Sequence, residues 1–194
     1  PYGSEPFGLV GAGAELTFDT RDEPANATRG ALLVAGASVR PAIWGVEDVY
    51  GDVHATAAIH LGAPLPLRPS LALRAQGRHV FGRYPFHAAA FVGGPTSLRG
   101  FPVQRFAGDA GVNANAELRL RFGSFFFVLP GEWGAFALAD TGRVWIDGER
   151  SRTWHAAGGG GMWFAYVDPN NTVTVSAVRG EEGTNLYVTT GFLF

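Results

Sequence analysis

Five histidines are the first candidates for chemistry in this 194-residue chain: His54, His60, His79, His87 and His155. Imidazole exchanges a proton near neutral pH and is a common metal ligand. Alternation along an extended segment places Asp52, His54 and His60 on one side. A nucleophilic site also needs a hydroxyl or thiol within reach of such a base. No serine stands in that context, and the absence of cysteine removes thiolate zinc sites, disulfides and thiol nucleophiles. The run Gly158-Gly159-Gly160-Gly161 is not a phosphate loop, because no Lys-Ser/Thr pair and no helix follow it. It reads as a bend or a close approach of a neighbouring strand. The histidines therefore read as members of a hydrogen-bonded network. No catalytic residue, metal site or cofactor is expected, and the chain reads as a non-enzyme.

Composition narrows what positions these residues. Glycine supplies 28 of the 194 residues, about twice the usual share. Charged residues make up 16%, against about 25% in ordinary soluble domains. A net charge of −2 leaves no electrostatic footprint for nucleic acid. A hydrophobic fraction of 46% excludes disorder. No uninterrupted apolar run is long enough for a transmembrane helix. Two classes remain: a soluble all-β domain and a membrane β-barrel. Pro1 is not an initiator Met and no signal-like segment precedes the first strand, so the sequence starts after processing or inside a longer protein.

Period-two alternation recurs throughout and predicts nine strands, at residues 9–21, 31–42, 49–61, 71–82, 112–122, 133–146, 154–166, 172–179 and 184–194. Turn residues separate them, at 22–26, 62–64, Pro130-Gly131, 168–171 and 181–183. A membrane strand needs about 9–11 tilted residues, which each stretch supplies, the eighth marginally. One face of the fifth strand carries Asn113, Asn115, Glu117, Arg119 and Arg121, and the other Val112, Ala114, Ala116, Leu118, Leu120 and Phe122. A soluble sandwich also alternates, with its apolar face inward. Three features favour a barrel: the strand lengths, the charges in mid-strand, and aromatics at strand ends (Phe81, Tyr84, Trp133, Trp145, Trp154, Tyr166). The expected fold is a single all-β domain over residues 1–194, an antiparallel transmembrane β-barrel.

The last predicted strand sets Leu186, Val188, Thr190, Phe192 and Phe194 on one face and ends on Phe. It resembles the C-terminal targeting strand of bacterial outer-membrane proteins. With a periplasmic C-terminus and alternating strands, the long connection at about 83–111 falls on the extracellular side. Long loops are usually functional, and this one holds Gly93-Gly94-Pro95-Thr96-Ser97-Leu98-Arg99-Gly100-Phe101.

That series resembles the loop tip of the BamA/TamA superfamily, the bacterial surface antigen family, whose extracellular loop folds back into the barrel with a Val/Ile-Arg-Gly-Phe/Tyr tip. Leu98 is a mild departure at the first position. Two further stretches match in order. Phe18-Asp19-Thr20-Arg21-Asp22 followed by Ala27-Thr28-Arg29-Gly30 is similar to the family's Asp-Thr-Arg and Pro-Thr-Arg-Gly segments, with Ala27 where Pro is usual. Ala139-Asp140-Thr141-Gly142 is similar to its Asp-x-Gly strand. The resemblance implies that Arg99 pairs inside the lumen with Asp140 and, less directly, Glu117, while Gly100 permits the tight backbone and Phe101 wedges into the wall.

The family's barrel has sixteen strands, and these nine resemble its C-terminal half. A fragment of a longer chain, a miscounted small closed barrel and a strand-sharing oligomer all remain open. No POTRA-like βααβ segment is expected within these residues. The resemblance implies a bacterial outer-membrane location and a role in inserting, assembling or translocating proteins. Its implied partners are outer-membrane lipid, nascent outer-membrane or secreted proteins, and periplasmic accessory proteins. Alternatives are a barrel that anchors or exports a fused N-terminal passenger such as a patatin-like lipase, and a small outer-membrane pore.

Overall fold

The computed structural model describes residues 8–44, 46–150 and 152–194. Nine antiparallel strands form one curled sheet. In chain order the elements are β1 (Ala12–Asp19), β2 (Gly30–Arg40), β3 (Tyr50–Gly62), β4 (Ser70–Gly82), the short 3-10 helix η1 (Phe86–Ala88), β5 (Ala90–Val92), β6 (Phe106–Gly108), β7 (Ala110–Phe126), β8 (Pro130–Trp145), β9 (His155–Tyr166), β10 (Thr172–Gly180) and β11 (Gly183–Thr190). Every strand pairs with its sequence neighbour, except that β4 pairs with β7 across a long loop in which β5 and β6 form a small hairpin.

The faces are inverted relative to a soluble domain. Asp52 and His60 on β3, Asn113, Asn115, Glu117 and Arg119 on β7, and Thr172, Thr174 and Ser176 on β10 are buried. Val53, Ile59, Leu61, Leu118 and Val175 from the same strands are exposed. Apolar outside and polar inside is the pattern of a transmembrane barrel wall. The interior is filled largely by the loop itself. Leu98, Phe101 and Val92 pack against Phe136, Leu138, Ala157, Trp163, Ala165 and Val178.

One rim carries the β1–β2, β3–β4, β7–β8 and β9–β10 turns with the last residues of the chain; the other carries the long loop. At the first, the β1–β2 turn is locked by Asp22, whose carboxylate accepts from the main-chain N–H of Thr28 (2.8 Å) and Arg29 (3.1 Å) and from the Thr28 hydroxyl. Burial alone would raise this carboxyl, but these hydrogen bonds outweigh it and hold Asp22 below the usual carboxylate range. At the loop rim, Asp109 accepts from the Tyr84 hydroxyl and from the Asp147 main-chain N–H (2.6 Å), which lower it. Burial, and then the hydrogen bond to Asp109, push the Tyr84 phenol up.

The sheet is open between β1 and β11, which share no ladder among the described residues. It curls enough for its ends to touch at the terminal rim. The Phe192 N–H donates to the Ala25 carbonyl (3.1 Å), and Asn170 bridges the Ala25 N–H and the Glu23 carboxylate.

Three sequence expectations are corrected. The Pro130-Gly131 turn lies inside the β7–β8 ladder, where Pro130 opens β8 opposite Phe126; a first strand position tolerates the missing donor. The β7–β8 register shifts at a bulge between Arg121 and Gly123, and β7 runs on past its expected end at 122 while β8 begins before its expected start at 133. The last strand stops at Thr190 rather than 194. Gly191 adopts φ +74°, turning the chain inward, so Phe192 and Phe194 leave the face that Leu186 and Val188 share.

The tetraglycine run faces β10 at close range. A Cβ on Gly159 would sit 2.1 Å from the Ala177 carbonyl oxygen, and one on Gly161 2.1 Å from that of Val175. At the outward Gly158 the nearest atom is 3.7 Å away. Gly159→Val or Gly161→Val is expected to destabilise the barrel by about 1–3 kcal/mol. Gly158→Ala should be near neutral. A temperature series before gel electrophoresis of the detergent-folded protein measures both.

Candidate functional site: the loop tip inside the barrel

The long loop leaves β4 at Gly82 and enters β7 at Ala110. Its tip is a tight turn closed by Ser97, whose hydroxyl accepts from the Gly93 N–H (2.9 Å) and donates to the Gly93 carbonyl (3.0 Å). The Ser97 carbonyl in turn accepts from the side-chain amides of Asn113 (3.1 Å) and Asn115 (2.8 Å) on the β7 inner face. Arg74 on β4 donates to the Thr96 carbonyl (2.6 Å) and to the Asn115 side chain. The tip is thereby fixed to β4 and β7 before its charged residue is considered.

Arg99 follows at once. Its guanidinium is bidentate to Asp140, Nε to Oδ2 and Nη2 to Oδ1, both at 2.7 Å, and its main-chain N–H reaches the same carboxylate at 3.1 Å. Nη1 donates to Glu117 Oε1. Arg99, Glu117 and Asp140 are only 6%, 1% and 3% exposed. An isolated charge here would be prohibitive, whereas paired and hydrogen-bonded groups are tolerated. Burial disfavours the Arg99 cation, but the Asp140 hydrogen bonds and the Glu117 charge more than offset it, so its pKa is raised. Arginine suits this position because its planar fork matches a carboxylate edge.

Leu98 and Phe101 flank the ion pair with apolar packing. Phe101 meets the ring of Phe106 edge-on at 5.4 Å, and Phe106 stacks on His155 at 3.9 Å. Gly100 has φ +90°, and a Cβ there would lie 2.9 Å from the Gly180 nitrogen and 3.0 Å from the Ala157 Cβ. Its N–H donates to the Tyr187 hydroxyl at 2.9 Å, tying the tip to β11. Leu98, Arg99, Gly100, Phe101, Asp140 and Glu117 thus form one constellation.

Arg119 extends it. Its Nε (3.0 Å) and Nη2 (2.7 Å) donate to Glu117 Oε2, while Nη1 reaches the Ala27 carbonyl and Nη2 the Phe194 main-chain oxygen. The guanidinium lies over the Phe192 ring, 3.8 Å from its centroid. A continuous chain of ion pairs therefore runs from the loop tip to the β1–β2 turn and the last residue. Leu186 and Val188 stand apart from it, 80% and 73% exposed on the outer wall. Alternation placed Arg119 on the inner face, but the roles of Arg119, Arg74, Ser97 and Tyr187 depend on contacts that no local pattern encodes.

The histidines are scattered. His54 lies between Glu15 (3.1 Å) and Asp52 (3.4 Å), His155 beside Glu181 (3.0 Å), and His60 is buried near the Phe194 ring. Among the described residues, no three potential ligands come close enough to share a metal ion.

Arg99→Ala leaves Asp140 buried without its bidentate cation and Glu117 with Arg119 alone. It is expected to cost about 3–5 kcal/mol, read as loss of the compact unheated gel band at a lower temperature. The Arg99→Ala/Asp140→Ala pair should cost less than the sum of the two single changes. An unshifted transition in Arg99→Ala would mean that the guanidinium contributes nothing net.

The Omp85 superfamily domain matches residues 4–166. No curated protein sequence matches the chain. Among solved structures, the fold is similar to BamA from Haemophilus ducreyi lacking POTRA domains 1–3, with a TM-score of 0.66 and 16% identity. That match covers 91% of this chain and 40% of the BamA chain, so these residues span less than half its length. With the matched domain extending over most of its residues, the chain belongs to the Omp85 superfamily, the β-barrel proteins of the bacterial outer membrane.

Proposed function

We propose that this chain is barrel wall of an outer-membrane factor that inserts, assembles or translocates other proteins, its C-terminal residues periplasmic and its long loop extracellular. The observation that carries this reading is the loop tip held inside the barrel by Arg99 on Asp140 and Glu117. A plug fixed by charge does not serve simple diffusion through a pore. It keeps the lumen occupied and ties the loop to β11 and the last residues, through Gly100 to Tyr187 and through Glu117 to Arg119 and Phe194.

The substrates on this reading are nascent outer-membrane or secreted proteins with strand-forming segments, delivered with the help of periplasmic accessory proteins. The work is guided strand pairing in lipid, and no covalent step is assigned to any residue. Leu186 and Val188 would then serve as the lipid-facing part of the chain's own targeting strand, and Phe192 and Phe194 as its inward-turned end.

Depleting the protein in its native host and quantifying folded porins in isolated outer membranes tests the role. A fall in folded porins is the expected result. Unaltered porins with loss of one particular surface or secreted protein would instead favour an anchor or exporter for a single passenger.

A further inference from the structure

The turns at the rim that carries the last residues are polar, with one exception. Asp22, Glu23 and Arg29 mark the β1–β2 turn, Arg68 the β3–β4 turn, and Asp168, Asn170 and Asn171 the β9–β10 turn. The β7–β8 hairpin is different. No residue between Arg121 and Glu132 is charged, and Ser124 is the one polar side chain there. Phe126, Phe127, Val128 and Leu129 form the tip and are 51–87% exposed. Val167 of the neighbouring turn is exposed beside them, its main-chain N–H donating to the Pro130 carbonyl at 2.8 Å. A contiguous apolar patch of this kind marks a surface that meets something other than water.

The patch continues the lipid-facing wall. Phe122 meets Trp133 edge-on at 5.0 Å, and Phe125 meets Tyr166 in the same way at 5.4 Å. Gly131 makes room for this, since a Cβ there would lie 2.5 Å from the Phe125 Cζ. Tryptophan and tyrosine mark the level at which a membrane wall leaves hydrocarbon, and Tyr166 stands in register with Gly131. Leu129 is two residues beyond Gly131, about 7 Å along the strand and about 5 Å in depth at the usual barrel tilt. The headgroup layer is itself about 5–7 Å deep on each side of the hydrocarbon. The tip therefore ends within that layer and not in open water. Both faces of the ribbon are apolar, because Phe125, opposite Gly131, and Phe126, opposite Pro130, alternate in direction. Lipid surrounds such a ribbon, whereas a protein docked from one side would cover only half of it.

We propose that the β7–β8 hairpin tip, Phe126 to Leu129 with Val167 beside it, is a foot seated in the membrane leaflet at the rim of the chain's last residues. Its partner is the headgroup and upper acyl region of the lipid. An apolar surface at this level sinks about 5–10 Å into the boundary between headgroups and acyl chains. The strands anchored in this way are those that carry Glu117 and Asp140, so the foot sets the height in the bilayer of the wall to which the loop tip is fixed. This placement needs only an outer wall that meets lipid. It is independent of any assembly role, and unaltered porins on depletion would leave it standing.

These residues contain no cysteine, so Phe127→Cys places an environment-sensitive fluorophore at the tip. The test uses the complete protein in vesicles of phosphatidylethanolamine and phosphatidylglycerol, with the unaltered protein taken through the same labelling as the blank. Unheated gel mobility checks folding, and Val128→Cys serves as a second tip position. Asn171→Cys, in the polar β9–β10 turn of the same rim, is the reference for a label in water. At the tip the emission is expected to shift to the blue of that reference and to lose access to iodide supplied on both sides of the membrane. Nitroxide lipids labelled near the headgroup should quench it more than those labelled at the acyl-chain end. Iodide access equal to that of Asn171→Cys at both folded tip variants, with no quenching by nitroxide lipids, overturns the proposal. So does shielding in isolated outer membranes alongside full iodide access in vesicles, because the cover would then be a protein.

Discussion

A guanidinium enclosed in protein needs carboxylates around it, and the position of the long loop follows from that requirement. Arg99 can leave water only where Asp140 and Glu117 wait, and those carboxylates can remain buried only while a cation reaches them. Each side of the pair stabilises the other, so the loop has one seated position rather than a continuum. Leu98 and Phe101 supply the apolar burial that the ion pair alone does not provide net of desolvation. Charge sets the register of the plug, and packing supplies the free energy that holds it.

The same constraint explains why the cluster at the loop tip has more arginine than its carboxylates can match one to one. Arg99 and Arg119 pair with Asp140 and Glu117, and Arg74 stands beside them on Asn115. The surplus positive charge is directed at carbonyl oxygens, those of Thr96, Ala27 and Phe194, and at the Phe192 and Phe194 rings. Those acceptors belong to the loop, the β1–β2 turn and the chain's last residues. Excess cation on β4 and β7 thus fastens three mobile-by-nature segments to the most heavily paired part of the sheet.

Much of this was legible in the residues, and what was not has physical reasons. Alternation revealed β3, β7 and β10 and their polar faces because a barrel wall keeps period two over its whole length. The partners of Arg99 came from motif resemblance, since Asp140 and Glu117 are distant in sequence and alternation alone cannot say which lumenal acid meets the loop. Phe192 and Phe194 continued the alternation of β11, so nothing local distinguished them from Val188; only Gly191, by taking a left-handed conformation, turns them inward. The β7–β8 bulge at Arg121 and Gly123 was equally silent, because Phe122 looks like the natural end of an apolar stripe. Strands β5 and β6 have three residues each, too few for any period to register.

The two sheet edges carry a directional constraint. With nine strands in strict antiparallel order, β1 and β11 run the same way, so joining them directly would create a parallel ladder in an otherwise antiparallel wall. The observed contacts avoid this. Among the described residues the edges meet through the turns, at Phe192 with Ala25 and at Asn170 with Glu23, and β1 and β11 share no ladder. Every pairing in the wall stays antiparallel only if an odd number of further strands stands between these two edges, which with the nine makes the even count that bacterial barrels take. The Arg119 contacts to Ala27 and Phe194 fasten both ends of the sheet to β7 at this rim, so their separation is fixed from the middle of the wall.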